Sequence, residues 1–367
     1  GLPTGMATRA RRDRYLKLEK IGEGSCGVVF KCRDTVTDAI VAVKKICFSY
    51  SGAPAGAFGV PPSALREVAA LRVLGSHPNV VGFLEAFLET NGRLFVVCEY
   101  LPRDLRQYMD DEGLMHERRA KLFSWQLLRA VAHCHANCLA HRDMKPQNIL
   151  VSEDASTVKL CDFSLSRSLV LAPEGGSRRV ASLWYRSPEL LLGGESCGLA
   201  LDVWSLGCVV GEMLLSSPVF PGLSEIETLL MQFQLLGTPC QETWPTVASL
   251  PHWCPDFPHF RAPRGGLAGI LGLRGGQGSA LLAGLLRCNP DARASAERAL
   301  GHGYFDDLDT TGMPLASEVN AEQRGPANSS GGGRKTGDFS DTEAQVLALA
   351  HSPPATRRHA SGGAAKR

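Results

Sequence analysis

The chain has 367 residues, 44% of them hydrophobic and 21% charged, with a formal net charge of +2. That length is enough for two packed cores, and near-balanced charge excludes a protein held on nucleic acid by a bulk positive field. The twelve cysteines lie in apolar runs without CxxC pairs, which argues against a secreted disulfide framework and for buried, reduced thiols in an intracellular compartment, nucleus or cytoplasm.

Residues 1–14 lack an apolar core and carry Arg9, Arg11, Arg12 and Arg14, so they are not a secretory signal. They read as a flexible basic arm, with a nuclear address as the alternative. From Tyr15 to Val43 the pattern is short β-type runs broken by glycine, which predicts an antiparallel sheet. Gly22, Gly24 and Gly27 form GxGxxG followed by Val29. Glycines there let backbone amides approach phosphate oxygens. A dinucleotide-binding turn shares that string but opens a helix. Here β-branched residues follow, and a strand ending Val41-Ala42-Val43-Lys44 puts a lysine within reach of phosphates.

A glycine-rich loop over 49–59 leads to GVPPSALRE, whose prolines precede a helical pattern with Glu67 in its second turn. A lysine held over phosphates needs a fixed anion, and Glu67 is the candidate partner of Lys44. Leu94–Tyr100 reads as a buried strand, after which helical patterns dominate at 114–137, 201–216, 224–236, 279–288 and 294–301. The prediction is an α+β fold of two lobes, a β-rich N-lobe over about 15–100 and a helical C-lobe over about 101–305, with the nucleotide between them. Residues 265–278 read as a glycine-rich surface loop and 306–367 as a disordered tail, in which Ser352-Pro353 is either a phosphosite or a solvated serine. The apolar stretch at 199–220 is interrupted by Asp202 and Glu212, which excludes a membrane span. His133, Cys134, His135, Cys138 and His141 admit a metal reading. The one-turn spacing of the two cysteines within an amphipathic run favours core packing instead.

The chemistry concentrates in HRDMKPQNIL, residues 141–150, and in Cys161-Asp162-Phe163. One short loop gathers a carboxylate (Asp143), a cation (Lys145) and an amide oxygen (Asn148), and Asp162 adds a second carboxylate. Phosphoryl transfer asks for that set: metal ligands, a positive clamp and a carboxylate beside the attacking hydroxyl.

On these motifs the chain resembles the eukaryotic protein kinases, and among them the cyclin-dependent kinases, over 15–305. The family-specific pieces are GVPPSALRE, SLWYRSPELLLG, VWSLGCVVGEML, VFPGLSEIE and LLGTP. The resemblance implies a serine/threonine kinase using ATP and Mg2+, with Asp143 as catalytic base and Lys145 on the γ-phosphate. Asn148 and Asp162 would bind magnesium, and Lys44 with Glu67 would hold the α and β phosphates. Ile21, Gly22, Glu23, Gly24, Ser25, Cys26, Gly27, Val28 and Val29 would cover the nucleotide. Glu99 and Leu101 would offer backbone groups to adenine, sandwiched by Ala42 and Leu150.

Regulation is implied by the same likeness. Glu189 would pair with Arg293, and Val180, Ala181 and Arg186 would form a pocket for a proline after the target residue. Arg66, Arg142 and Arg167 would converge on phosphorylated Ser177, and a cyclin-like subunit would dock on the PPSALRE helix. Protein substrates follow from this reading, whereas direct nucleic-acid binding and membrane association do not. Without a cyclin, Glu67 is expected to swing outward. There are three departures from the family: Ser164 replaces a glycine after Asp162-Phe163, Cys98 stands where a larger residue guards the adenine pocket, and Ser25 and Cys26 replace an inhibitory threonine and tyrosine.

Overall fold

The structure, a computed structural model of the chain, describes residues 12–24, 27–46, 60–75, 77–89, 93–169, 182–194, 198–262, 267 and 276–310. Ser25, Cys26, Ser177, Val180 and Ala181 lie outside the described residues, as does Ser352.

Five antiparallel strands form the N-terminal sheet: β1 (Tyr15–Gly24), β2 (Gly27–Asp34), β3 (Ile40–Ile46), β4 (Phe83–Leu88) and β5 (Leu94–Glu99), in the order β1-β2-β3-β5-β4. The apolar alternation of Val41 and Val43 packs one face of β3 against Phe87, Phe95 and Val97, in a small outer core that includes Tyr15. Pro62 begins the Pro62–Leu74 helix, because a missing N–H costs nothing at a helix start. Val68, Leu71 and Leu74 of that helix join the main core, which runs continuously into the helical lobe.

Below the sheet, Asp104 and Gln107 cap the Leu105–Glu112 helix reciprocally at 2.8 and 3.1 Å. The Glu117–Ala136 helix follows, and then the Ala200–Leu215 helix, which is buried almost throughout and carries the fully buried Trp204. An all-round apolar helix belongs inside a core, and this one underlies the site. Bidentate contacts at 2.9 Å join Glu189 to Arg293, a buried ion pair bracing the lower lobe as expected.

Several element bounds shift. The long helix begins at Glu117 because the His116 side chain accepts from the Arg118 amide, capping the start. It ends at Ala136, and Cys138 takes φ 53° beyond it, so Cys138 is exposed while Cys134 is buried. Core packing therefore holds for only one of that pair. Gln277 and Gly278, expected in a loop, open the Gln277–Leu285 helix. The ends of the folded region also extend further than composition suggests: Arg14 binds Asp34 at 2.6 and 2.7 Å, and Lys121 binds Asp307 at 2.6 Å. Among the described residues no helix is long and apolar enough to cross a membrane.

Candidate active site

Between the sheet and the helical lobe lies a cleft of about 860 Å³ whose walls carry most of the sequence-predicted groups. The roof comes from β1 and β2. Ile21, Gly22, Glu23, Gly24, Gly27 and Val29 face the cleft, whereas Val28 is not on its wall, as strand alternation requires of the neighbour of Val29. Gly27 has φ 150°, and a side chain there would overlap the Lys45 carbonyl oxygen, so glycine is obligatory. Gly24 faces open space, with nothing within 4 Å of a built Cβ.

Strand β3 delivers Lys44 to the cleft opposite Val29 and Val96. Its Nζ lies 2.7 and 2.8 Å from the two oxygens of Glu67 and 3.3 Å from Asp162 Oδ1. Burial pushes the Glu67 carboxyl up, and Lys44 opposes that push. Burial also raises Asp162, but the Lys44 charge and a hydrogen bond from the Ser164 side chain outweigh it and hold the group below the usual carboxylate range. The outward swing expected of Glu67 does not occur. Glu67 is buried, the helix carrying it is anchored by Leu71 and Leu74, and Arg66 reaches the Ser164 carbonyl at 3.4 Å.

The catalytic loop is built on a buried acid that lies outside the motifs carrying the site's chemistry. Asp202, 1% exposed, accepts the His141 and Arg142 amides at 2.8 Å each and meets His135 Nε2 at 3.1 Å. Arg142, held at φ 71°, turns the chain so that Asp143 enters the cleft. Lys145 Nζ lies 2.8 Å from Asp143 Oδ2. Asn148 Nδ2 donates to the Asp143 carbonyl and carboxylate at 2.7 and 2.9 Å, leaving Oδ1 as its remaining ligand atom.

The Asp162 segment is tied to this loop by the Cys161 amide, which donates to the Asn148 carbonyl at 3.0 Å. Phe163 is buried edge-on against His141 at 4.8 Å. The left-handed residue here is Asp162 (φ 59°), while Ser164 sits in the short helical turn Phe163–Leu165. Serine is thus accommodated without the backbone range of glycine.

At the adenine end, Ala42 and Leu150 come from opposite walls, with Leu101 on the connecting segment. The Glu99 side chain binds Lys159 at 2.7 Å, pinning the connection to the Val158–Leu160 strand. Cys98 and Cys161 also line the cleft, and burial pushes the Cys98 thiol up to about 12 and the Cys161 thiol well above its ordinary value. Val81, Val96, Asp104 and Gln107 join the wall as well. None belongs to a motif with its own chemistry, so spacing alone could not flag them.

The remaining predicted groups are partly gathered. The Arg167–Ser168 strand pairs with the Leu139–Ala140 strand, placing Arg167 opposite Ala140, two residues before buried Arg142. Arg186 binds Glu225 at 2.6 Å, and Ser182 Oγ reaches Asp143 Oδ1 at 3.5 Å.

Chemically, the cleft offers a cation anchored by a carboxylate, an oxygen set from Asp162 and Asn148, and a carboxylate–ammonium pair at its mouth. Those oxygens suit a hard divalent ion, and Asp162 and Asn148 are the residues that would hold magnesium. Bound with ATP, the ion would offset phosphate charge. Asp143 can orient a hydroxyl and accept its proton, while Lys145 offsets charge on a transferring group. The protein kinase domain family matches residues 15–305. With that match laid over the cleft, the chain belongs to the protein kinase family and is a phosphotransferase that acts on proteins, with ATP implied as its phosphate donor.

Proposed function

We propose that the chain is a Mg-ATP-dependent serine/threonine kinase that prefers a proline after the target residue and is activated by a cyclin-like subunit and by phosphorylation of Ser177. The observation that carries the transferase reading over a scaffold that binds without turnover is the Lys145–Asp143 contact at 2.8 Å in the same cleft as the Lys44–Glu67 pair. A chain released from catalysis has no reason to keep four such groups in register. A lysine two residues past the catalytic acid supports serine/threonine specificity. Support for a cyclin-like partner comes from PPSALRE on the Pro62–Leu74 helix and from Val73 and Leu84, apolar yet 61% and 54% exposed.

One observation favours a second reading, a kinase of the same branch that needs no cyclin: Glu67 already pairs with Lys44 in the single chain. Assaying the purified chain on serine peptides with and without a following proline, before and after copurification with its cellular partner, separates the two. Full activity of the Ser177→Ala chain alone would defeat the activation scheme. Absence of magnesium-dependent turnover in partner-bound protein would defeat the enzyme reading itself.

A further inference from the structure

A second cleft, of about 800 Å³, shares no lining residue with the nucleotide cleft. Three helices wall it. The Glu117–Ala136 helix presents Arg129, Ala132 and Ala136, whose spacing of three and four puts them on one face. The Ala200–Leu215 helix adds Ala200 and Val203, and the Ala296–Leu300 helix adds Ala296 and Leu300. The first helix packs against both of the others. Alanine on all three leaves a furrow between them that longer side chains would fill. Ala132, Ala200 and Leu300 stay half-buried and Ala136 exposed, so this apolar furrow opens to solvent.

Most of its charges are committed within the lobe. Glu189 holds Arg293, and Asp202 holds His135. The Arg129 guanidinium lies 4.7 Å from the Trp125 ring centroid and puts a positive charge at one end of the alanine row. Glu297 borders the furrow too, but it is exposed and its charge stays solvated.

The chain itself carries a segment that fits. The Ala296–Leu300 wall leads through the Gly303–Phe305 turn to Thr310, where the described residues end. Thirty residues further stands SDTEAQVLALAH, residues 340–351. Ser340 and Glu343 have the spacing of a capping box, Asp341 and Glu343 are acids for a first turn, and Pro353 stops the pattern. The prediction is a helix over 341–351 with Val346, Leu347 and Ala350 on one side. A helix of about eleven residues is marginal alone in water and needs a surface to cover its apolar side. Acids lead the segment and apolar residues follow, the order in which Arg129, Ala132 and Ala136 stand along the furrow. A thirty-residue coil spans about 30 Å between its ends, enough to return to the wall it left.

We infer that residues 341–351 dock in this furrow as a helix, with Asp341 and Glu343 beside Arg129 and with Val346, Leu347 and Ala350 against the alanine walls. The contact is a helix laid in a groove, and the tether holds it near a millimolar effective concentration, so a modest affinity suffices. The inference goes beyond the kinase reading and does not depend on it.

Hydrogen exchange on the full chain provides the test. Amides at 344–350 should exchange about tenfold slower than in a free peptide of the same sequence. Leu347→Asp, which alters neither lobe, should abolish that protection, and Ala132→Trp should do the same by filling the furrow. Benzoylphenylalanine placed at position 347 should photocouple within its own chain to peptides covering 129–136, 200–203 or 296–300. Exchange at the free-peptide rate overturns the inference, as does protection that survives Leu347→Asp or a crosslink to any other part of the domain. Coupling between isotopically distinct chains, or protection lost on roughly twentyfold dilution, assigns the helix to a second copy and overturns it as well. Neither readout uses activity, so failure of the kinase reading leaves the test intact.

Discussion

Replacing Asp202 tests whether the catalytic loop is held from below. The carboxylate accepts two backbone amides at 2.8 Å in a site that is 1% exposed. Asp202→Ala leaves both donors buried without an acceptor. At about 1–3 kcal/mol for each, the loss is about 2–6 kcal/mol, a large part of the roughly 5–15 kcal/mol that stabilises a typical domain. Asp202→Asn is the sharper replacement, because it keeps one carbonyl oxygen and turns an NH2 toward the other amide. It should cost about 1–3 kcal/mol, measured by urea unfolding. Asp143 follows Arg142 directly, so a shift of about 1 Å in the loop should lower single-turnover phosphorylation on the order of a hundredfold. Lys44 and the cleft roof belong to other elements, so the Kd for a fluorescent ATP analogue should move by less than about twofold. An Asp202→Asn protein that transfers phosphate at the wild-type rate would refute the anchoring role, whatever its stability.

Gly27→Ala should destabilise the N-terminal sheet by about 1–3 kcal/mol, because φ 150° and the Lys45 carbonyl both oppose a side chain. Gly24→Ala, facing open space, should stay within about 1 kcal/mol of wild type in the same thermal melts, and equal losses for the two would count against the geometry. Arg293→Met should cost about 3–5 kcal/mol by stranding buried Glu189, and Glu189→Gln with Arg293→Met together should cost less than Arg293→Met alone. His77 provides a pH test. Burial lowers its pKa to about 3 from 6.5, so the unfolded chain takes up the proton first and stability falls as pH drops below 6.5 toward 3. Between pH 7 and 5 that loss is about 2 kcal/mol at most, and His77→Phe, which keeps the ring against His133, should flatten the urea-midpoint profile across that window.

What the sequence made legible is chemistry carried by neighbours in the chain. Asp143, Lys145 and Asn148 span six positions, and their spacing announced both loop and reaction before any fold was known. The short β-type runs of β3 and β5 likewise announced a sheet delivering Lys44. Glu67 was legible as a partner but not in its inward setting, which depends on how Leu71 and Leu74 pack across the core. Asp202 and Glu212 were read only as interruptions of an apolar run. Their partners lie 60 and 61 residues away for Asp202 and 27 and 106 for Glu212, whose oxygens accept from Tyr185 and Arg106, and no local pattern encodes such distant pairing. Cys138 was misjudged because helical spacing continues past Ala136 on paper, whereas the chain leaves the helix there through a left-handed residue.

The pair of sulfurs at the rear of the nucleotide cleft bears on inhibitor design. With its pKa pushed up to about 12, Cys98 offers almost no thiolate at neutral pH, and burial holds the Cys161 thiol protonated in the same way. Warheads that rely on nucleophilic attack should find both inert despite easy reach. Selective compounds would do better to fill the room that a short side chain leaves beside Ala42 than to seek a covalent bond.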